Sequence, residues 1–288
     1  MSDRSRVLAP GEKRRNVIST LRSSPWLAPA LSGALGWLPP LAVGVASVVL
    51  WHFVVEAFSV PRYLMPPPGV VAETFADNLG FLWDNTLSTA HVTLYGFALS
   101  VGIGVPLGIV LVESPILART VYPIIVATQT FPKIAVAPLL LVWFGFGLKP
   151  KLVLVLLVAF FPIVVNTSVG LATARPESLL LARAVGLGYL GTLLKIRLPQ
   201  ALPSVFAGFK VAITLALVGA VVAEFLAGQT GLGRVIMVAM GLVNTPLLFS
   251  ALAALILLGL VLYAMVVAVE HVALPWRPEE EKRFVVGL

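Results

Sequence analysis

Apolar residues run through this chain in blocks longer than the faces of ordinary amphipathic elements. A helix rising ~1.5 Å per residue needs about 20 residues to cross a hydrocarbon core of ~30 Å. Six stretches meet or approach that length, at 39–55, 85–112, 120–146, 152–174, 204–226 and 247–269. The second holds no Asp, Glu, Lys or Arg; the third is interrupted midway by Lys133. Polar stretches separate the blocks, and the most distinctive of them, 175–203, carries Arg175, Glu177, Arg183, Lys195 and Arg197. The pattern predicts an all-α polytopic membrane protein of about six transmembrane helices, with both termini on one side.

Within 175–203, Pro176 suits the first turn of a helix and Glu177 its positive N-terminal end, which predicts a helix over 176–185 stopped by Gly186 and Gly188. A second short helix is expected over 190–196, with Pro199 and Pro203 setting the angle at which the chain returns to the membrane. Ala182 and Gly186, four apart, leave room for another surface to approach, and Leu179, Leu180 and Val185 offer it apolar contact. The same loop contains a G-x-G-x-x-G string at 186–191, but no strand precedes it and no acidic residue follows at the distance a ribose requires, so a dinucleotide site is rejected.

The third block holds Pro123, Pro132 and Pro138 around Lys133. Irregular backbone at membrane depth is tolerated only where protein or a water-filled cavity covers it, and Gln129 and Lys133, four apart, are expected on that covered face. A mid-membrane lysine costs ~2.5–3.5 kcal/mol on insertion scales. Either it belongs to a translocation pathway, or it pairs with Glu224 or snorkels to an interface. Glu224, near the end of the fifth block and just before a glycine-rich turn at 228–233, is read either as a hydrated helix end or as a gate or subunit contact. Residues 65–83 are expected to hold a short surface helix, and the small residues Gly104 and Gly108 a face for close packing within the chain.

Composition supports the membrane reading: 59% of the residues are hydrophobic, 11% are charged, and mean hydropathy is +0.99. A net charge of +7 fits orientation on a membrane better than nucleic-acid binding, because the basic residues flank the apolar blocks. With the N-terminus inside, both tails, Arg119, Arg175, Arg183, Lys195, Arg197 and Lys210 fall on the cytoplasmic side, and Arg62, Lys149, Lys151 and Arg234 outside. The expected organisation is a cytoplasmic tail over 1–37, a transmembrane domain over 38–272 with a cytoplasmic loop at 175–203, and a second tail over 273–288. There is no cysteine, and His52, His91 and His271 are scattered, so no metal site is expected. No phosphate-binding loop and no hydrolytic constellation occurs, so no catalytic residue and no cofactor is assigned.

The spacing Ala182, three residues, Gly186, nine residues, Ile196-Arg197-Leu198-Pro199 resembles the ATPase-docking loop of membrane subunits of binding-protein-dependent ABC importers. Phe131-Pro132-Lys133, Ala137-Pro138-Leu139, Trp143-Phe144-Gly145-Phe146-Gly147, Ala223-Glu224 and Gly231-Leu232-Gly233 are similar to the branch that handles nitrate, sulfonates and taurine. Leu180 stands where that loop usually carries glutamate, and Leu181 replaces the first alanine. The resemblance implies a type I importer permease fold in an inner membrane, cytoplasmic ATP-binding cassette subunits, an external substrate-binding protein, a second permease copy, and a small anionic or related organic solute. Leu180, Ala182, Gly186, Ile196, Leu198 and Pro199 would form the coupling loop, and Gln129, Lys133 and Glu224 would be candidates for the path. The alternative is an ATPase-independent carrier or channel built on Lys133 and Glu224.

Overall fold

The structure, a computed structural model, describes residues 28–276, so the tails expected at 1–37 and 273–288 lie largely outside the described residues. The described residues fall into two compact units, one ending at Ser59 and the other beginning at Val60. In the first, α1 (Ala28–Ala57) contains the block expected at 39–55. Within α1, the Ser47 hydroxyl donates to the Val43 carbonyl one turn back at 2.8 Å, and His52 lies 3.3 Å from Glu56 one turn on.

The second unit contains α2 (Pro68–Asp77), α3 (Leu79–Glu113), α4 (Pro115–Ala127), a 3-10 turn (Lys133–Val136), α5 (Ala137–Phe144), α6 (Leu148–Ala172), α7 (Pro176–Ala184), α8 (Tyr189–Thr192), a π turn (Leu193–Arg197), α9 (Leu198–Ala227), α10 (Leu232–Gly241) and α11 (Thr245–Ala273). Among the described residues, four helical runs are long and apolar enough to cross a membrane: α3, α6, the continuous run Tyr189–Ala227, and α11. The helix expected within 65–83 is α2, which ends at Asp77, with Asn78 alone separating it from α3.

The core is built on α6, which lies between α3 and α9. Along α3 the small residues Gly96, Ser100, Gly104 and Gly108 recur every fourth position, and all four are buried. A β-carbon added at Gly96 would lie 2.3 Å from Val155, one at Gly104 2.9 Å from Ile163, and one at Gly108 2.7 Å from Thr167. On the opposite side of α6, a β-carbon at Gly208 of α9 would lie 2.7 Å from Asn166 and 2.9 Å from the Pro162 carbonyl. Ala212, Ala216 and Ala220 continue that stripe, all fully buried with Val155, Ala159 and Ile163. Lipid offers helices no hydrophobic drive to associate, so such backbone-to-backbone approach supplies the attraction. Pro162 interrupts α6, and its carbonyl accepts from the Asn166 side-chain amide at 2.8 Å, while Ser204 donates to the Asn166 carbonyl at 2.9 Å. Farther along, the mostly buried pair Lys210–Glu270, 2.8 Å apart, joins α9 to α11.

Three local expectations are corrected. The block at 120–146 is not one helix: α4 ends at Ala127 and regular structure resumes only at Lys133. Pro132 lacks the N–H a helix would need and disfavours helical geometry at Phe131, so Gln129 and Lys133 do not share a helical face. The second loop helix does not stop near Ile196 but runs through the π turn into α9, with Pro199 in the first turn and Pro203 inside the helix. The wider turn lets the Leu198 N–H reach the Leu193 carbonyl and directly precedes Pro199, whose ring would clash with the carbonyl four residues back in a regular helix. The glycine-rich turn after α9 leads into α10, an amphipathic helix that apolar blocks alone do not reveal.

The end of α10 carries strain. Asn244 N–H bonds to the Ala239 carbonyl at 2.8 Å and Val243 N–H to the Met240 carbonyl at 3.2 Å, a Schellman pattern that puts Val243 where glycine is usual. Val243 has φ +55°, which a β-branched side chain resists. Val243→Gly is expected to raise stability by about 1 kcal/mol, read as a higher midpoint in thermal unfolding of the detergent-purified protein. A lower midpoint would show that the valine side chain contributes more than its backbone costs.

Candidate functional site

The stretch 175–203 folds as a compact knob. Its first helix, α7, has Pro176 in its first turn, and its N-cap Arg175 provides no side-chain cap. Gln200 of α9 does the tying: its side-chain oxygen accepts from Arg175 N–H at 3.0 Å and its amide donates to the Ser178 hydroxyl at 2.9 Å. At the other end of α7, Leu187 N–H reaches the Ala182 carbonyl at 2.9 Å and Gly186 N–H the Arg183 carbonyl at 3.1 Å. This is a Schellman cap, and Gly186 supplies the φ of +75° it requires. Beyond its two chain neighbours, no atom lies within 4 Å of where a Gly186 side chain would begin, so Gly186 is required for its backbone conformation, with open space around it.

Ala182, read from the sequence as leaving room for another surface, is only 1% exposed and faces the interior of this chain. The outward apolar face consists instead of Leu180, Leu181, Val185, Tyr189, Leu190 and Leu194, each more than half exposed. Ile196, Leu198 and Pro199 are half-buried at the root of the knob, where the chain passes into α9. There Arg197 forms an ion pair with Glu113, the last residue of α3, with both side chains about four-fifths buried. The knob is thus fastened to α9 covalently and through Gln200, and to α3 through Glu113. Sequence reasoning passed over both Gln200 and Glu113. An acidic residue closing an uncharged block was a signal for Glu113, whereas nothing local marks Gln200.

Lys133 begins the 3-10 turn after the helix break, half-buried, with its ammonium 4.9 Å from the centroid of the Phe161 ring on α6. A cation over an aromatic face is attracted by about 0.5–2 kcal/mol depending on desolvation. Gln129 is exposed in the break itself. No ion pair joins Lys133 to Glu224, so the pairing alternative does not hold in this structure.

Glu224 is fully buried, which overturns its reading as a hydrated helix end. Its Oε2 accepts from Thr89 Oγ1 at 3.0 Å and from Gly233 N–H at 2.9 Å. Thr89 Oγ1 in turn accepts from Leu232 N–H at 2.9 Å, and Asn85 Oδ1 from Gly231 N–H at 2.8 Å. Three successive N–H groups at the start of α10 are therefore capped by side chains from α3 and α9, and the carboxylate lies at the positive end of α10. A β-carbon at Gly231 would fall 2.2 Å from the Glu224 carboxylate, which explains the glycine there. Asn85 and Thr89, one turn apart in an uncharged block, carried a faint sequence signal of buried polar work.

Thr89→Val keeps the shape but leaves Leu232 N–H without its partner and Glu224 Oε2 with Gly233 N–H alone. It is expected to cost about 1–3 kcal/mol, seen as a lower unfolding midpoint and faster proteolysis in the 228–233 turn. An unchanged midpoint would mean that α10 is held by its apolar face alone.

Comparison with known proteins agrees with this architecture. Residues 100–272 match the family of binding-protein-dependent transport system inner membrane components. The riboflavin transport system permease protein RibX of Chloroflexus aurantiacus is 38% identical over 231 residues, covering 80% of this chain and 86% of that protein. The formylaminopyrimidine transport permease protein ThiX of Halalkalibacterium halodurans is 31% identical over 84% of this chain and 97% of its own length. The taurine transport system permease protein TauC of Escherichia coli is 26% identical over 83% of this chain and 90% of its own. A solved chain of the MetNI methionine ABC transporter in an inward-facing conformation shares the fold, with a TM-score of 0.61 at 19% identity over 68% of this chain and 97% of that one. The chain belongs to the family of binding-protein-dependent transport system inner membrane components, as a multi-pass membrane permease subunit of an ABC transporter.

Proposed function

We propose that this permease forms the translocation pathway of an ATP-driven importer for a small anionic solute, such as a sulfonate, taurine, nitrate or a related organic molecule. It works as one of two copies, with two ATP-binding cassette subunits on the cytoplasmic side and an external binding protein delivering the solute. Six crossings, two of them provided by α1 and by the broken segment from α4 to α5, put both termini and the knob in the cytoplasm. The relatives named for riboflavin and formylaminopyrimidine extend the candidate solutes to heterocycles.

The observation that carries this reading is the exposed apolar face of the knob, Leu180, Leu181, Val185 and Leu190, on an element secured from behind by Gln200 and Arg197. Apolar surface presented on a rigid projection is what a docking partner covers. With leucine at position 180, the docking contact is apolar where the family's is acidic. Ala182, Ile196, Leu198 and Pro199 support the knob from within, and Gly186 sets its shape. ATP-driven closure of the cassette subunits would move the knob and, through α9 and Glu113, the helices that line the path. Lys133 and Gln129 border that path, supported by a break in regular backbone that needs either protein cover or water. Glu224 acts at one remove, by holding the turn before α10.

Two sets of variants test this. Leu181→Glu with Val185→Glu is expected to leave the permease inserted but to cut both co-purification with the ATPase and ATP-dependent uptake by about tenfold or more, the scale of 1.4 kcal/mol. Gly186→Asn, which tolerates positive φ, is expected to lose less activity than Gly186→Val. Normal uptake by the double glutamate variant would rule out docking at this face. For the path, Lys133→Met is expected to lower uptake strongly with complex yield intact, and Lys133→Arg to keep part of it. Full uptake by Lys133→Met would remove Lys133 from the path.

A further inference from the structure

A cavity of about 510 Å3 opens where α6 begins, between α3, the turn after α5 and the turn after α9. Its lining includes Ser88, His91, Tyr95, Phe146, Lys151 and Thr230. Ser88 and Thr230 are hydrogen-bonded to each other at 2.8 Å across it, fixing the separation of two of its walls. The volume lies within the ~300–1,000 Å3 typical of small-molecule sites and exceeds what a bare inorganic oxyanion fills.

Lys151 is the unusual member. It is only 7% exposed, yet it takes part in no hydrogen bond and no ion pair with any described residue. It also occupies the first turn of α6, a 25-residue helix whose N-cap, Gly147, provides no side-chain cap. A cation at a helix N-terminus opposes the helix dipole, and burial adds the cost of lost hydration. Two unfavourable placements coincide at one residue, and both are relieved by the same thing, a negative group in the cavity. Gly147 and Leu148, at the start of the helix, line the cavity beside Lys151, so the positive end of α6 and the lysine border the same space. The Glu224 carboxylate is within electrostatic reach of Lys151 but forms no direct pair with it, being turned toward Thr89 and Gly233. On the open side, Tyr95 and Phe146 present exposed rings.

We propose that this cavity binds a small organic oxyanion, with its carboxylate or sulfonate at the α6 N-terminus beside Lys151 and its flat body against Tyr95 and Phe146. The inference deepens the solute class proposed above and rests on it, but its test requires no transport.

Full-length permease in lipid nanodiscs is titrated with radiolabelled benzenesulfonate and with its neutral analogue benzenesulfonamide. Wild type is expected to prefer the anion by about tenfold or more, the scale of a charge-assisted hydrogen bond. Lys151→Met is expected to abolish the preference, and Lys151→Arg to keep part of it. Equal binding of the two probes by wild type, or a preference that survives in Lys151→Met, overturns the proposal. If Lys151→Met folds poorly, the double variant Lys151→Met with Glu224→Gln removes both buried charges together. A folded double variant without preference supports the site; a double variant with restored preference overturns it and leaves Lys151 as a counter-charge to Glu224. ATP-dependent uptake by wild-type proteoliposomes containing the ATPase tests the importer reading separately: anion preference without uptake overturns transport and keeps the site.

Discussion

Close approach of helix backbones along α6 is the constraint from which the rest of the structure follows. In hydrocarbon, apolar side chains gain nothing by leaving lipid for protein, so helices associate only where they pack unusually well. Glycine and alanine stripes on α3 and α9 bring both helices against α6, with glycine positions at which an added β-carbon would overlap Val155, Ile163, Thr167 or Asn166. That proximity also keeps polar groups safe. Thr93 and Ser100 return their hydroxyls to carbonyls on their own helix, and Ser168 donates to the Gly108 carbonyl across the seam at 3.2 Å. No water is needed to satisfy them at membrane depth.

The two ends of this packed trio are finished differently. At the Glu113 end, the buried Glu113–Arg197 pair and the Gln200 clamp make the knob an extension of α3 and α9. A force applied to the exposed leucines therefore has rigid elements through which to act. At the opposite end of α9, Glu224 closes the turn into α10 with a hydrogen-bonded carboxylate, although its Oε1 has no partner among the described residues. The nearby Lys151 ammonium offsets part of that cost. Both buried charges at this end are incompletely satisfied inside the chain, an arrangement seen more often at functional positions than in structural cores.

Hydrophobic runs and motif spacing determined the all-helical membrane class, the permease family, the positions of the long helices and the existence of the knob, because these depend on local composition and short-range periodicity. The α7 stop at Gly186 was equally legible, since only glycine takes that backbone conformation cheaply. Tertiary structure decided the remainder. Ala182 turned inward because α7 folds back on the π turn that precedes α9, and no one-dimensional pattern says which side of a nine-residue helix meets its own chain. Lys133 found the Phe161 ring instead of Glu224, and Glu224 found Asn85 and Thr89's neighbourhood 135 residues from Thr89 in sequence. Which polar groups meet across such separations depends on the register of three packed helices, and that register is set by side-chain interlock along α6, which the sequence encodes only collectively.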